Sequence, residues 1–97
     1  MEIFITKRAK EQFSLIQSHL KQTWGENVAE VYKKKTSDFL DLLTAYPKLG
    51  AIEFEARQIR GFQLTKHTRI FYRIKKEKII ILAFFDVRQD PLRKPKE

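Results

Sequence analysis

The chain has no cysteine, three glycines, three prolines and a single tryptophan in 97 residues. Without cysteine there is no disulfide framework and no thiolate metal ligand, which fits a reducing cytoplasm. Gly25, Gly50 and Gly61 are widely separated, so no glycine loop can cradle a nucleotide phosphate. No apolar run approaches the ~20 residues that cross a bilayer. The opening segment, Met1 to Thr6, lacks the basic and apolar regions of a signal peptide. His, Asp and Glu nowhere fall at metal-ligand spacing, and no Gly-x-Ser-x-Gly or similar nucleophile motif occurs. These absences predict a cytoplasmic protein with no cofactor, no metal and no membrane partner.

What is present is charge. Twenty Lys and Arg stand against twelve Asp and Glu, a formal net charge of +8. That excess favours a polyanionic partner: nucleic acid, a ribosome or an acidic protein. The plainer alternative is a soluble basic domain with solvated lysines. The length suits one domain, residues 1–97. The 42% apolar content is that of a globular chain rather than a disordered one.

The stretch from Thr68 to Pro91 organises the rest. Ile70, Tyr72 and Ile74 alternate with Arg69, Phe71 and Arg73, the period-two pattern of a half-buried strand. Ile79 to Phe85 is apolar throughout and reads as an inner strand covered on both faces. Lys75-Lys76-Glu77-Lys78 between them is a hairpin turn without the usual Asn-Gly or Asp-Gly.

Upstream, Glu2 to Ile5 reads as a first strand and Thr6 as the cap of a helix running from about Lys7 to Thr23. Ala9, Phe13, Ile16 and Leu20 form its apolar stripe, widened by Leu15 and His19. A second helix starts near Glu26, carries Val28, Val31, Tyr32, Phe39, Leu42, Leu43 and Tyr46, and ends by Pro47 and Gly50. The short connection predicts an antiparallel helical hairpin. Lys33-Lys34-Lys35 falls opposite that stripe, as a solvated face or an addition to a phosphate-facing surface. Trp24 either packs over the hairpin end or anchors a partner. Leu49 to Ala56 reads as irregular; its Glu53 and Glu55 are solvent-facing, or a pair able to do acid–base work. Arg57 to Leu64 alternates with a phase shift at Gly61, which predicts a bulge or kink there. Strand, two helices and then a three-strand antiparallel meander make an α+β domain. The tail from Leu92 is basic, broken by Pro95, and expected to fray.

The chemistry-bearing set is basic: Arg57, Arg60, Lys66, His67, Arg69, Arg73 and Arg88. Arginine binds phosphate in bidentate fashion and stabilises charge developing at phosphorus. Such a face suits RNA or an acidic peptide. Basic side chains on edge strands also block aggregation.

The order Thr6-Lys7-Arg8-Ala9, helical hairpin, Tyr46-Pro47-x-x-Gly50, Arg60, Phe71-Tyr72-Arg73-Ile74, Ile79-Ile80-Ile81-Leu82 and Asp86-x-Arg88-Gln89-Asp90-Pro91 resembles the RelE/ParE superfamily of bacterial toxins across nearly the whole chain. The resemblance implies the toxin of a type II toxin–antitoxin pair, neutralised by a small antitoxin that also supplies contacts to operator DNA. RelE-like members cut mRNA in the ribosomal A site; ParE-like members inhibit DNA gyrase. In the ribonuclease case Arg60 and Arg73 would orient and neutralise phosphate, and Arg88 would support the leaving group. Arg57, Lys66, His67 and Arg69 would contact RNA or a partner. Arg73→Ala and Arg88→Ala are then expected to abolish growth arrest with the fold intact; the alternative is that the two arginines are structural, with Arg88 pairing Asp86 or Asp90. Several ribonuclease members have a histidine just after the last strand, where this chain has Asp86, and no tyrosine follows in the tail. The departure moves the expectation toward gyrase or another target. The antitoxin is expected to cover the apolar groove between helices and sheet together with the arginine face. The alternative from a different class is a non-catalytic basic module that binds RNA or protein.

Overall fold

Thr6 closes one element and opens the next. Its backbone amide reaches Ile81 O at 3.1 Å, and its hydroxyl accepts from Ala9 N at 3.1 Å, the N-cap bond that satisfies a free helical amide. The computed structural model describes residues 1–88. Strand β1 is Glu2–Ile5, helix α1 Lys7–Trp24 and helix α2 Glu26–Ala45; β2 is Ala51–Phe54, followed by a 3-10 turn at Glu55–Arg57. Then come β3, Ile59–Gln63, β4, Thr68–Lys75, and β5, Lys78–Asp86. The expected tail, and the Gln89-Asp90-Pro91 part of the motif, lie outside the described residues.

The sheet order is β1-β5-β4-β3-β2. β1 runs parallel to β5, with Glu2 opposite Lys78 and Ile5 opposite Ile81, and the remaining pairs are antiparallel. The meander therefore has four strands, not three. The segment from Leu49 to Ala56 holds β2, which sequence patterning misses because nearly all of it is exposed.

A single residue joins the helices. Gly25 has φ +98°, a conformation that costs L side chains about 1 kcal/mol, and its N–H donates to Lys21 O. The hairpin lies on one face of the sheet. Along α2 the buried line is Ala29, Tyr32, Thr36, Phe39 and Leu43, spaced alternately three and four. Val28, Val31 and Leu42, expected in that stripe, are exposed, as is Leu15 on α1. Ala9, Ile16 and Leu20 of α1 meet the α2 line over Ile70, Tyr72, Ile79, Ile81 and Phe84. On the opposite face Ile59, Phe71, Ala83 and Phe85 form a second cluster with Phe54 and Leu82. β5 is thus apolar on both sides, which accounts for its unbroken run.

Two irregularities aim side chains. The β4–β5 register shifts between Phe71 and Tyr72, placing one extra residue at Leu82 on β5. Before it Ile79 and Ile81 face the helices; after it Phe84 does. The bulge therefore puts Asp86, in register with Thr68, on the helix side. The second irregularity is in β2 between Ile52 and Phe54. The bulge expected at Gly61 is absent: β3 pairs evenly with β4 from Arg60 to Gln63. Ile59 and Phe62 belong to opposite faces, so the apparent phase shift is an ordinary two-sided strand. Gly61 has another reason to be glycine. A Cβ there would fall on the Glu53 carboxylate, which crosses it to pair with Arg69.

Candidate functional site

Past the bulge, β5 ends on a charge that needs a partner. The Asp86 side chain is 1% exposed. Thr68 Oγ1 donates to Asp86 Oδ2 at 2.8 Å. Arg88 closes back on it, with Nε to Oδ1 at 3.0 Å, Nη2 to Oδ2 at 2.6 Å and its backbone N to Oδ1 at 2.8 Å. This two-pronged fork is the geometry in which arginine holds a carboxylate best. Burial alone would raise the Asp86 pKa. The Arg88 hydrogen bonds, the Thr68 hydroxyl and the Arg88 charge outweigh it and hold the carboxyl below its ordinary value.

The turn between β3 and β4 is fastened to this end of the sheet. Thr65 Oγ1 accepts from His67 N at 3.2 Å and Thr68 N at 3.0 Å, and Val87 N donates to His67 O at 3.1 Å. A cleft of about 250 Å³ opens between this turn and the helices. Leu20, Val28, Val31 and Tyr32 give it an apolar floor, and Lys35, Lys66, His67 and Arg88 line it with cations. Burial pushes the Tyr32 phenol up to about 12, so it stays protonated as a donor. Its hydroxyl lies against Thr68 but meets no partner in hydrogen-bond geometry.

Three expected site residues, Lys66, His67 and Arg88, therefore share one cleft. The others stand elsewhere. Arg60 is half-buried and donates from Nη1 to Gly50 O at 2.7 Å. It belongs to a network in which Tyr72 Oη donates to Pro47 O at 2.7 Å and accepts from Gly50 N at 2.8 Å. Burial raises the Tyr72 pKa, against the Gly50 amide and the Arg60 charge. Arg60 is in register with Tyr72, four residues and roughly 13 Å along the strand from Thr68. Arg73, next after Tyr72, lies on the face away from the helices, where its Nε is buried with no hydrogen-bond partner. Arg69 pairs with Glu53 and donates to Gln63 Oε1 at 2.9 Å, so Glu53 and Glu55 do not form a free acidic pair. Arg57 is exposed at the end of the 3-10 turn.

Sequence patterning groups Lys35 with Lys33 and Lys34 as a solvated or phosphate-facing run opposite the apolar stripe; the structure sets it instead beside Val28 and Val31 in the cleft. It lies four residues after Val31 and seven after Val28, hence on their face of the helix. Asp86 is legible in the sequence as a departure from a pattern and, with Asp90, as a structural partner for Arg88; the pairing with Asp86 is the one the structure holds, and its place on the helix side depends on a bulge that no local signal marks. Trp24, 62% exposed, does not pack over the hairpin end. Elsewhere, Ile5, Phe13, Leu40 and Phe84 line a groove of about 340 Å³ that Lys10 and Lys33 flank. Among the described residues no helix is long and apolar enough to cross a membrane.

The family model described as "ParE toxin of type II toxin-antitoxin system, parDE" matches residues 3–91. Among solved structures, one from the chromosomal ParDE TA system of P. aeruginosa aligns with a TM-score of 0.75 at 19% identity, covering 89% of this chain and 95% of that one. A YoeB/ParE toxin from Agrobacterium tumefaciens aligns with a TM-score of 0.64 at 12% identity, covering 89% of this chain and 98% of that one. At these identities the two structures speak for the fold alone. No curated protein matches the chain.

Proposed function

Since the chain belongs to the ParE toxin family of type II toxin–antitoxin systems, we propose that it arrests growth by inhibiting DNA gyrase rather than by cutting mRNA. The observation that carries this reading is the dispersal of Arg60, Arg73 and Arg88. RNA cleavage by a 2′-hydroxyl needs a base, an acid and a cation within hydrogen-bond reach of one phosphate. Arg60 is committed to Gly50 O, Arg73 stands on the other face of the sheet, and Arg88 is committed to Asp86. The three do not converge on a common point. Lys66, His67 and the exposed Arg57 remain as target contacts, together with whatever part of Arg73 the target reaches.

The experiment sets two assays side by side. Purified toxin is added to gyrase in a supercoiling reaction and, separately, to translating ribosomes, where new 5′ ends on the message are mapped. The expected result is loss of supercoiling with the message intact. Cuts at A-site codons would overturn the gyrase reading and return Arg60, Arg73 and Arg88 to a catalytic role.

The family implies a cognate antitoxin. We place its docking segment in the groove of Ile5, Phe13, Leu40 and Phe84, with acidic residues beside Lys10 and Lys33. The toxin–antitoxin complex then acts on operator DNA through the antitoxin. The double substitution Lys10→Glu and Lys33→Glu, at two exposed flanking positions, is expected to weaken rescue by the antitoxin while the variant, expressed alone, still arrests growth. Rescue unchanged by that substitution would move the antitoxin to another surface.

A further inference from the structure

We propose that the cleft between α2 and the β3–β4 turn binds a nucleoside phosphate, its phosphate between Lys35, Lys66 and His67 and its base over Val28 and Val31. The proposal goes beyond gyrase inhibition: it shares Lys66 and His67 with the contacts proposed for the target, and the titration that tests it contains no gyrase.

The charge points to an anion. Arg88 is neutralised by Asp86, but Lys35 and Lys66 line the cleft and neither forms an ion pair among the described residues. Two ammonium groups, an imidazole and a guanidinium around one cleft suit a phosphate. The floor points to more than an anion. Val28 is 42% and Val31 59% exposed, and apolar surface beside cations serves a ligand with a flat apolar part as well as a charge. The size sets the limit: about 250 Å³ takes one nucleotide-sized ligand and not a partner helix.

Isothermal titration of the full chain tests this with four probes: inorganic phosphate, adenosine, AMP and a short oligoadenylate. AMP is expected to bind at least about tenfold tighter than phosphate or adenosine, because only AMP uses both floor and cations. Lys35→Ala and Lys66→Ala should each weaken AMP binding about tenfold. Both lysines are exposed, so the variants should keep the parent's melting temperature. Lys34→Ala removes an ammonium that already pairs with Asp38 at 3.1 Å and should leave binding unchanged. Oligoadenylate no tighter than AMP would identify a free nucleotide as the ligand; a much tighter oligoadenylate would identify one unit of a single strand. The proposal fails if no nucleotide binds, if AMP binds no tighter than inorganic phosphate, or if the Lys35 and Lys66 variants bind AMP as the parent does.

Discussion

A carboxylate as enclosed as that of Asp86 is tolerable only while its partners hold. Arg88→Ala should lower stability by about 2 to 3 kcal/mol at pH 7, since it removes two charge-assisted hydrogen bonds and strands a buried charge. The pH dependence follows from the lowered Asp86 pKa. Its stabilisation is fully present above the unfolded value of about 3.9 and is lost as pH falls through the lower folded value. In the variant the stranded carboxyl rises in pKa and takes up a proton earlier. Urea unfolding at pH 7 and pH 3 should therefore show a wide gap closing to a narrow one; a constant gap would mean that Arg88 contributes only packing. Tyr72→Phe makes a second test. Tyr72 is fully buried and its hydroxyl bonds both Pro47 O and Gly50 N, so its loss should cost about 2 kcal/mol, read as a lower urea midpoint. The basic residues were all legible as a set. Their partners were not, because Arg60 meets Gly50 and Arg69 meets Glu53 only after β2 has folded back on β3.

The elements were more legible than their joints. β1, both helices, β4 and β5 follow from apolar period and from the Thr6 cap, signals written into neighbouring residues. β2 has no such signal: it is an edge strand with little buried side chain, defined by its pairing to β3. An irregularity expected at Gly61 lies instead in β2, opposite Ile59 and Arg60; a shift of phase and an apolar residue on each face look alike in one strand. The β4–β5 turn carries a correctable flaw. Lys76 and Glu77 have φ of 50° and 62°, and Lys75 is in register with Lys78. This two-residue turn with both residues left-handed is the kind that Asn-Gly fits best. Replacing Lys76-Glu77 by Asn-Gly should raise stability by about 1 kcal/mol, seen as a higher urea midpoint with an unchanged slope.

At the scale of the molecule the charge decides how partners arrive. With a formal net charge of +8, association with an acidic antitoxin should be steered and salt-sensitive. Raising salt from 0.1 M to 0.5 M should weaken the complex about tenfold or more, most of it in the association rate; an affinity indifferent to salt would leave the apolar groove as the sole source of binding. The pairing of β1 with β5 has a further consequence, in time rather than in space. Glu2 lies opposite Lys78 and Ile5 opposite Ile81, so β1 must wait for β5. While the chain is being synthesised β1 has no neighbour, and the helices lack most of the surface they cover, since Ile79, Ile81 and Phe84 come from β5. Long-range pairing of this kind also slows folding. A nascent chain therefore cannot present its finished surface, harmful or otherwise, until β5 has emerged to pair with β1.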